Sequence, residues 1–145
     1  ITMSQFIGTS MTPGYAGDLT RGLFDATIET KVNDGTVKAF GVPVKLSSGK
    51  AAAVSAASDA VYGFSVREYG QADNDGVQEM ELVSVLRRGY IAVTVSSGTA
   101  AAGGQVYLTS TGAISADSTS NTALSGATFM GPADANGLAE IAFNI

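Results

Sequence analysis

The chain has 145 residues, 69 of them Ala, Gly, Ser or Thr, and carries 8 basic against 13 acidic side chains for a formal charge of −5. A chain of this length removes roughly 68% of its unfolded surface from water and holds one core without a disulfide or metal staple. Having no His and no Cys, it lacks imidazole and thiolate metal ligands, a Cys nucleophile and any Ser-His-Asp triad, and its acidic balance offers no cationic field to nucleic acid or an anionic membrane surface.

Residues Ile1 to Gly17 carry Gly8, Pro13, Gly14 and Gly17, which break regular elements. The segment reads as a loose terminus or as an arm that orders against a partner. Its start, ITMSQFIGTSM, has no basic stretch followed by an apolar core, so it is not read as a secretory signal. From Asp18 to Val32, Leu19, Leu23, Phe24 and Ile28 share roughly one helical face, while Gly22 costs a helix about 1 kcal/mol relative to Ala. This stretch is either a helix or part of an extended arm. Phe6, Tyr15 and Phe24 all fall in the amino-terminal segment, outside the strands. Three aromatics in a Gly-rich arm exceed what a loose tail requires and point to docking on a neighbour. Residues 1–35 are expected as the arm, extended or partly helical, and 36–145 as the folded domain.

From Thr36 onward the pattern is all-β. TVKAFGVPVKL runs to a turn at Ser47-Ser48-Gly49, and Ala51 to Val54 return as a partner strand. Ala60 to Glu68 is a strand with Val61, Phe64 and Val66 toward the core, and Tyr69 to Gly76 is a polar loop ending in the turn signal Asp75-Gly76. Val77 to Leu86 and Tyr90 to Val95 read as two strands joined at Arg87-Arg88-Gly89, with Val93 and Val95 on one face and Thr94 on the other. Gly104 to Leu108 and Ala113 to Ser115 form a small hairpin, Asp117 to Ser125 an exposed loop, and Ala127 to Met130 and Leu138 to Phe143 close the domain. Short strands at this spacing mean a small β-barrel or a jelly-roll-like sandwich of antiparallel strands. Val44-Lys45-Leu46-Ser47-Ser48-Gly49 is echoed by Val106-Tyr107-Leu108-Thr109-Ser110-Thr111-Gly112, and each is followed by an apolar strand bearing Gly, Val61-Tyr62-Gly63 and Phe129-Met130-Gly131. Mean hydropathy is +0.20 without an apolar run long enough for a spanning helix, so the apolar residues belong to sheet faces and interfaces.

Little in the chain suggests catalysis. Glu68, Asp73, Asp75, Glu79 and Glu81 cluster in sequence as glycosidase carboxylates would, but they fit a solvated loop flanking a strand better. Asp73-Asn74-Asp75-Gly76 opens like a calcium loop, yet Leu82 stands where the bidentate Glu is needed. Ser47-Ser48-Gly49-Lys50 lacks the rest of a phosphate loop, and no helix follows. No metal, cofactor or catalytic residue is expected. Arg87-Arg88, the only basic pair, suits carboxylates on a protein partner. With Phe6, Tyr15 and Phe24, the two arginines make the candidate contact set.

The order of these features resembles the structural cement, or head decoration, proteins of tailed bacteriophages. The resemblance is carried by TPGYAGDLTR (Thr12 to Arg21), AFGVPVKL, VYGFSV, RRGYIAVTV and GGQVYLTSTGAIS, with Phe40, Gly41 and Val44, then Gly89, Ile91, Val93 and Val95, then Gly103, Val106, Tyr107, Leu108 and Gly112 at the recurring positions. It implies a non-enzymatic virion protein made in the host bacterial cytoplasm. Such a protein binds the outer face of the capsid, with the major capsid protein and other copies of itself, as homodimer or homotrimer, for partners. Neither nucleic acid nor membrane is implied. The competing reading is a β-sandwich receptor- or carbohydrate-binding module of a phage fibre or adhesin, against which stand the absence of Trp and the presence of an arm in place of a linker.

Overall fold

Short runs of β-branched and small residues, each ended by Gly, Ser or Asn, favour strands over helices throughout the chain. The computed structural model describes residues 14–68 and 81–145 and is all-β there. Its strands are β1 (Thr27–Val32), β2 (Pro43–Ser47), β3 (Lys50–Ala53), β4 (Gly63–Ser65), β5 (Leu82–Thr94), β6 (Gln105–Leu108), β7 (Ile114–Ser115), β8 (Thr122–Phe129) and β9 (Leu138–Phe143). They form one curled, antiparallel, barrel-like sheet in the order β3-β2-β4-β5-β9-β8-β6-β7, with β1 also paired to β5.

The order is a palindrome about the β5–β9 pair. On either side of that centre lies one further strand, β4 or β8, and then a hairpin, β2–β3 or β6–β7. The two hairpins are the echoed segments, Val44 to Gly49 and Val106 to Gly112. An antiparallel central pair is what a local two-fold axis normal to the sheet requires.

Three expectations need correction. The Arg87-Arg88-Gly89 stretch is not a turn: β5 runs unbroken from Leu82 to Thr94, because its first half is held by β1 and β4 and its second by β9. Gly89, at φ 142°, bends the strand without reversing it. The loop expected over Asp117 to Ser125 gives way to β8 from Thr122, where Thr122 and Ala123 pair with Leu108 and Tyr107. That part of β8 is largely exposed, so its polar composition concealed a strand. For Asp18 to Val32 the helical alternative fails. Only a 3-10 turn forms, at Leu23–Asp25, and the β-branched residues Thr27, Ile28, Thr30 and Val32 go into β1. Val77 to Met80 and the Tyr69 to Gly76 loop lie outside the described residues.

The main core gathers Phe64, Leu86, Ile91, Val93, Val106, Leu108, Phe129, Ile141 and Phe143, with Phe64 edge-on to Phe143 at 5.1 Å between ring centres. A smaller core holds Val37, Phe40, Val44, Ala51, Val83 and Val85. Residues 16–20 close a seam between the two halves of the sheet. Gly17 N donates to Ala92 O (2.8 Å), Ala92 N to Asp18 O (3.0 Å) and Arg67 N to Gly17 O (2.8 Å). The N–H and C=O of a strand residue point to the same edge. Ala92 spends both on the seam, so β9 binds the opposite edge of β5.

Candidate functional site

Between the seam and β1, the chain passes over β5 at Gly89. A Cβ at Gly89 would stand 3.1 Å from Asp25 O and 3.2 Å from Ala26 Cα, so only glycine lets the crossing lie this close. The 3-10 turn Leu23–Asp25 sits in this crossing, and its Phe24 side chain is fully exposed. Thr27, just beyond, pairs with Arg88. The fold thus brings the Phe24 turn against β5 at Gly89, the residue after Arg88, from positions far apart in the chain.

A bulge separates the two arginines. Thr27 pairs with Arg88 but Ile28 with Leu86, so Arg87 is the extra residue and is aimed elsewhere. Its guanidinium lies over the Tyr62 ring at 3.5 Å and donates to Tyr62 O. The Tyr62 hydroxyl donates to Glu29 (2.5 Å), and Lys31 Nζ stands 5.7 Å from the same ring and 3.6 Å from Glu29. The Tyr62 hydroxyl does most to hold the Glu29 carboxyl below its usual range, and Lys31 and Arg87 assist. The Arg88 side chain is exposed and makes no hydrogen bond or ion pair with the described residues.

Tyr15 belongs to the seam. Two-thirds exposed, it faces the Arg67 guanidinium at 5.5 Å, and that group also lies over Phe40 at 5.0 Å and donates to Ala16 O at 2.9 Å. A third such stack joins Arg21 to Tyr90 at 4.2 Å, with two hydrogen bonds from Arg21 to Glu140 at 3.0 and 3.2 Å. Burial is the largest influence on the Glu140 carboxyl and raises its pKa, but the Arg21 hydrogen bonds and charge, together with Thr20, outweigh it and leave the carboxyl below its usual range.

Of the expected contact residues, Phe24 and Arg88 are each exposed, Tyr15 stands at the seam, Arg87 lies across Tyr62, and Phe6 is outside the described residues. Of the acidic cluster, Glu68 accepts from Ser84 Oγ at 2.7 Å and Glu81 is exposed, while Asp73, Asp75 and Glu79 are not described. The cation–aromatic stacks went unread in the sequence. Glu29 and Lys31 share strand parity, but nothing local links them to Tyr62 or Arg87.

Comparison with known proteins finds a matching family model and matching solved structures. A family model described as structural cement protein (E217 gp24/Pam3 gp6) matches residues 3–144. Among solved structures, a chain from the capsid of Myoviridae phage XM1 superposes with a TM-score of 0.75 at 16% identity, over 95% of this chain and 94% of that one. At that identity the likeness is one of fold. No curated protein matches the chain.

Proposed function

Because the chain belongs to the phage structural cement protein family, with a structural, capsid-associated role in the virion, we propose that it binds the outer face of the capsid and staples neighbouring major capsid protein subunits. The observation that carries this reading is the extent of the family match, residues 3–144 of 145. The surface chemistry supports it. A chain with 14% charged residues covers a shell without stripping many ions of water. Many copies bound side by side also mean that a capsomer leaves only when several contacts break together.

The contact set begins with Phe24 and Arg88, an exposed apolar anchor and a guanidinium free to meet a carboxylate. Tyr15, Phe6 and Arg87 complete it, with residues 1–35 as the docking segment. The protein is made in the host bacterial cytoplasm and added to heads from outside.

Co-sedimentation of the full chain with undecorated, expanded heads tests the reading. The expected result is saturable binding at a fixed ratio to the major capsid protein, with heads that withstand higher temperature. Failure to bind across related heads would return the β-sandwich receptor- or glycan-binding module to first place.

A further inference from the structure

The turn that carries Phe24 spans two fixed points. At its near end Thr20 N donates to Tyr90 O at 3.3 Å, and at its far end Thr27 pairs with Arg88. Within the span the turn's own hydrogen bond is local, from Asp25 N to Gly22 O at 3.1 Å. A Cβ at Gly22 would meet nothing within 4 Å, so no packed neighbour stands on that side of the backbone. A glycine in open space, two residues before a fully exposed aromatic, is a pivot. An apolar anchor on a pivot docks poorly, because the freedom it gives up on binding is subtracted from its affinity.

Arg21, the residue before the pivot, holds it still. Tyr90 and Glu140 alternate with the core residues Ile91 and Ile141, so their side chains stand on the face of β5 and β9 away from the main core. In the register Tyr90 is opposite Ala142 and Glu140 opposite Ala92, which makes the tyrosine and the glutamate diagonal neighbours. The Arg21 guanidinium joins them. Its Nε donates to Glu140 Oε2 at 3.2 Å and its Nη2 to Oε1 at 3.0 Å, while Cζ lies 4.2 Å from the centre of the Tyr90 ring. The paired bonds fix the direction of the planar group, and the ring supports its face. A freely exposed ion pair would hold little, but here the carboxylate is only 21% exposed and the aromatic contact adds to it.

We propose that Arg21 is a positioning residue, clasped between Tyr90 and Glu140 so that the Phe24 turn is held in the pose in which its ring docks. This rests on the reading of Phe24 as a capsid anchor. Arg21 acts through the turn and needs no contact of its own with the shell.

Chymotryptic nicking of the full chain reads the pose without heads, since cleavage after Phe24 requires the turn to open and follows its open population. Arg21→Ala should speed that cut about fourfold. The cut after Tyr15, which Arg67 and Asp18 hold, should keep its wild-type rate. Glu140→Gln, which leaves the ring contact in place, should give a smaller rise at Phe24. With heads, Arg21→Ala should bind about threefold more weakly, as the fraction of chains in the docking pose falls. The same substitution in a Phe24→Ala background should add no further loss, because the ring it positions is already gone. An unchanged cut after Phe24, an equal rise at Tyr15, or an Arg21→Ala loss that persists in the Phe24→Ala background overturns the proposal. Full affinity of Phe24→Ala alone would instead overturn the contact reading, and the nicking ratio would still decide the clasp.

Discussion

At Gly89 a missing side chain is a structural requirement. The residue has φ 142°, and a Cβ there would press on the crossing backbone at Asp25 and Ala26. Gly89→Ala should lose about 1–3 kcal/mol, read as a lower urea midpoint at unchanged slope. Asp59 makes a different kind of prediction. Lys45 Nζ (2.9 Å), with the Ser55 and Ala56 amides, holds its pKa down to about 2 from an ordinary 3.8. The folded state favours the charged form, so its contribution is complete above the unfolded value of about 3.8. It fades as pH falls from there toward about 2. Asp59→Asn should therefore melt lower than wild type at neutral pH, and the gap between the two should close over that acid range. An equal gap at every pH would show that the carboxylate charge is not what Lys45 and the amides stabilise.

The elements divide between those that local pattern announced and those that distant pairing decided. Strand β9, Leu138–Phe143, was read with its bounds intact because its apolar residues lie between the turn around Asn136-Gly137 and the chain's end. The β2–β3 and β6–β7 hairpins were equally plain, since Ser48-Gly49 and Thr109 to Gly112 are turn chemistry flanked by Val and Leu. Strand β5 was misread as two, because Arg-Arg-Gly is a plausible turn until partners hold both sides of it. The candidate site was legible as residues and illegible as a surface. Phe24 stood out as an aromatic outside the strands, but the crossing that sets its turn against Gly89 lies in no sequence window. The Phe24 turn yields the site's sharpest test. Phe24 is fully exposed, so Phe24→Ala should leave the thermal midpoint within about 1 °C of wild type, exposed substitutions being nearly neutral. Affinity for heads should fall by about tenfold or more, as loss of an aromatic anchor does. Retained affinity would remove Phe24 from the contact set.

For the molecule as a whole, the amino-terminal segment has two parts with different consequences. Removing residues 1–13 spares the seam bonds of Gly17 and Asp18 and should weaken head binding. Cutting through Gly17 also removes its bonds to Ala92 and Arg67. Those backbone bonds, at about 1 kcal/mol each, should take roughly 5 °C from the midpoint of a domain this size. Equal melting of the two truncations would show that the seam carries no load. The palindromic strand order was also partly legible, as an echo between two hairpins, but only the sheet shows that these occupy matching places on either side of β5 and β9. Strand β5 itself serves both cores, with Val83 and Val85 in the smaller one and Leu86, Ile91 and Val93 in the larger. Its partners come from both directions along the chain, since Thr27 pairs with Arg88 and Phe143 with Gly89. Neither core can be completed early during synthesis: the smaller waits for β5 to emerge, and the larger waits for β9. Folding is therefore late and all-or-none, with the slow kinetics of long-range β closure, so a nascent chain that still lacks β9 carries two halves with no finished core between them.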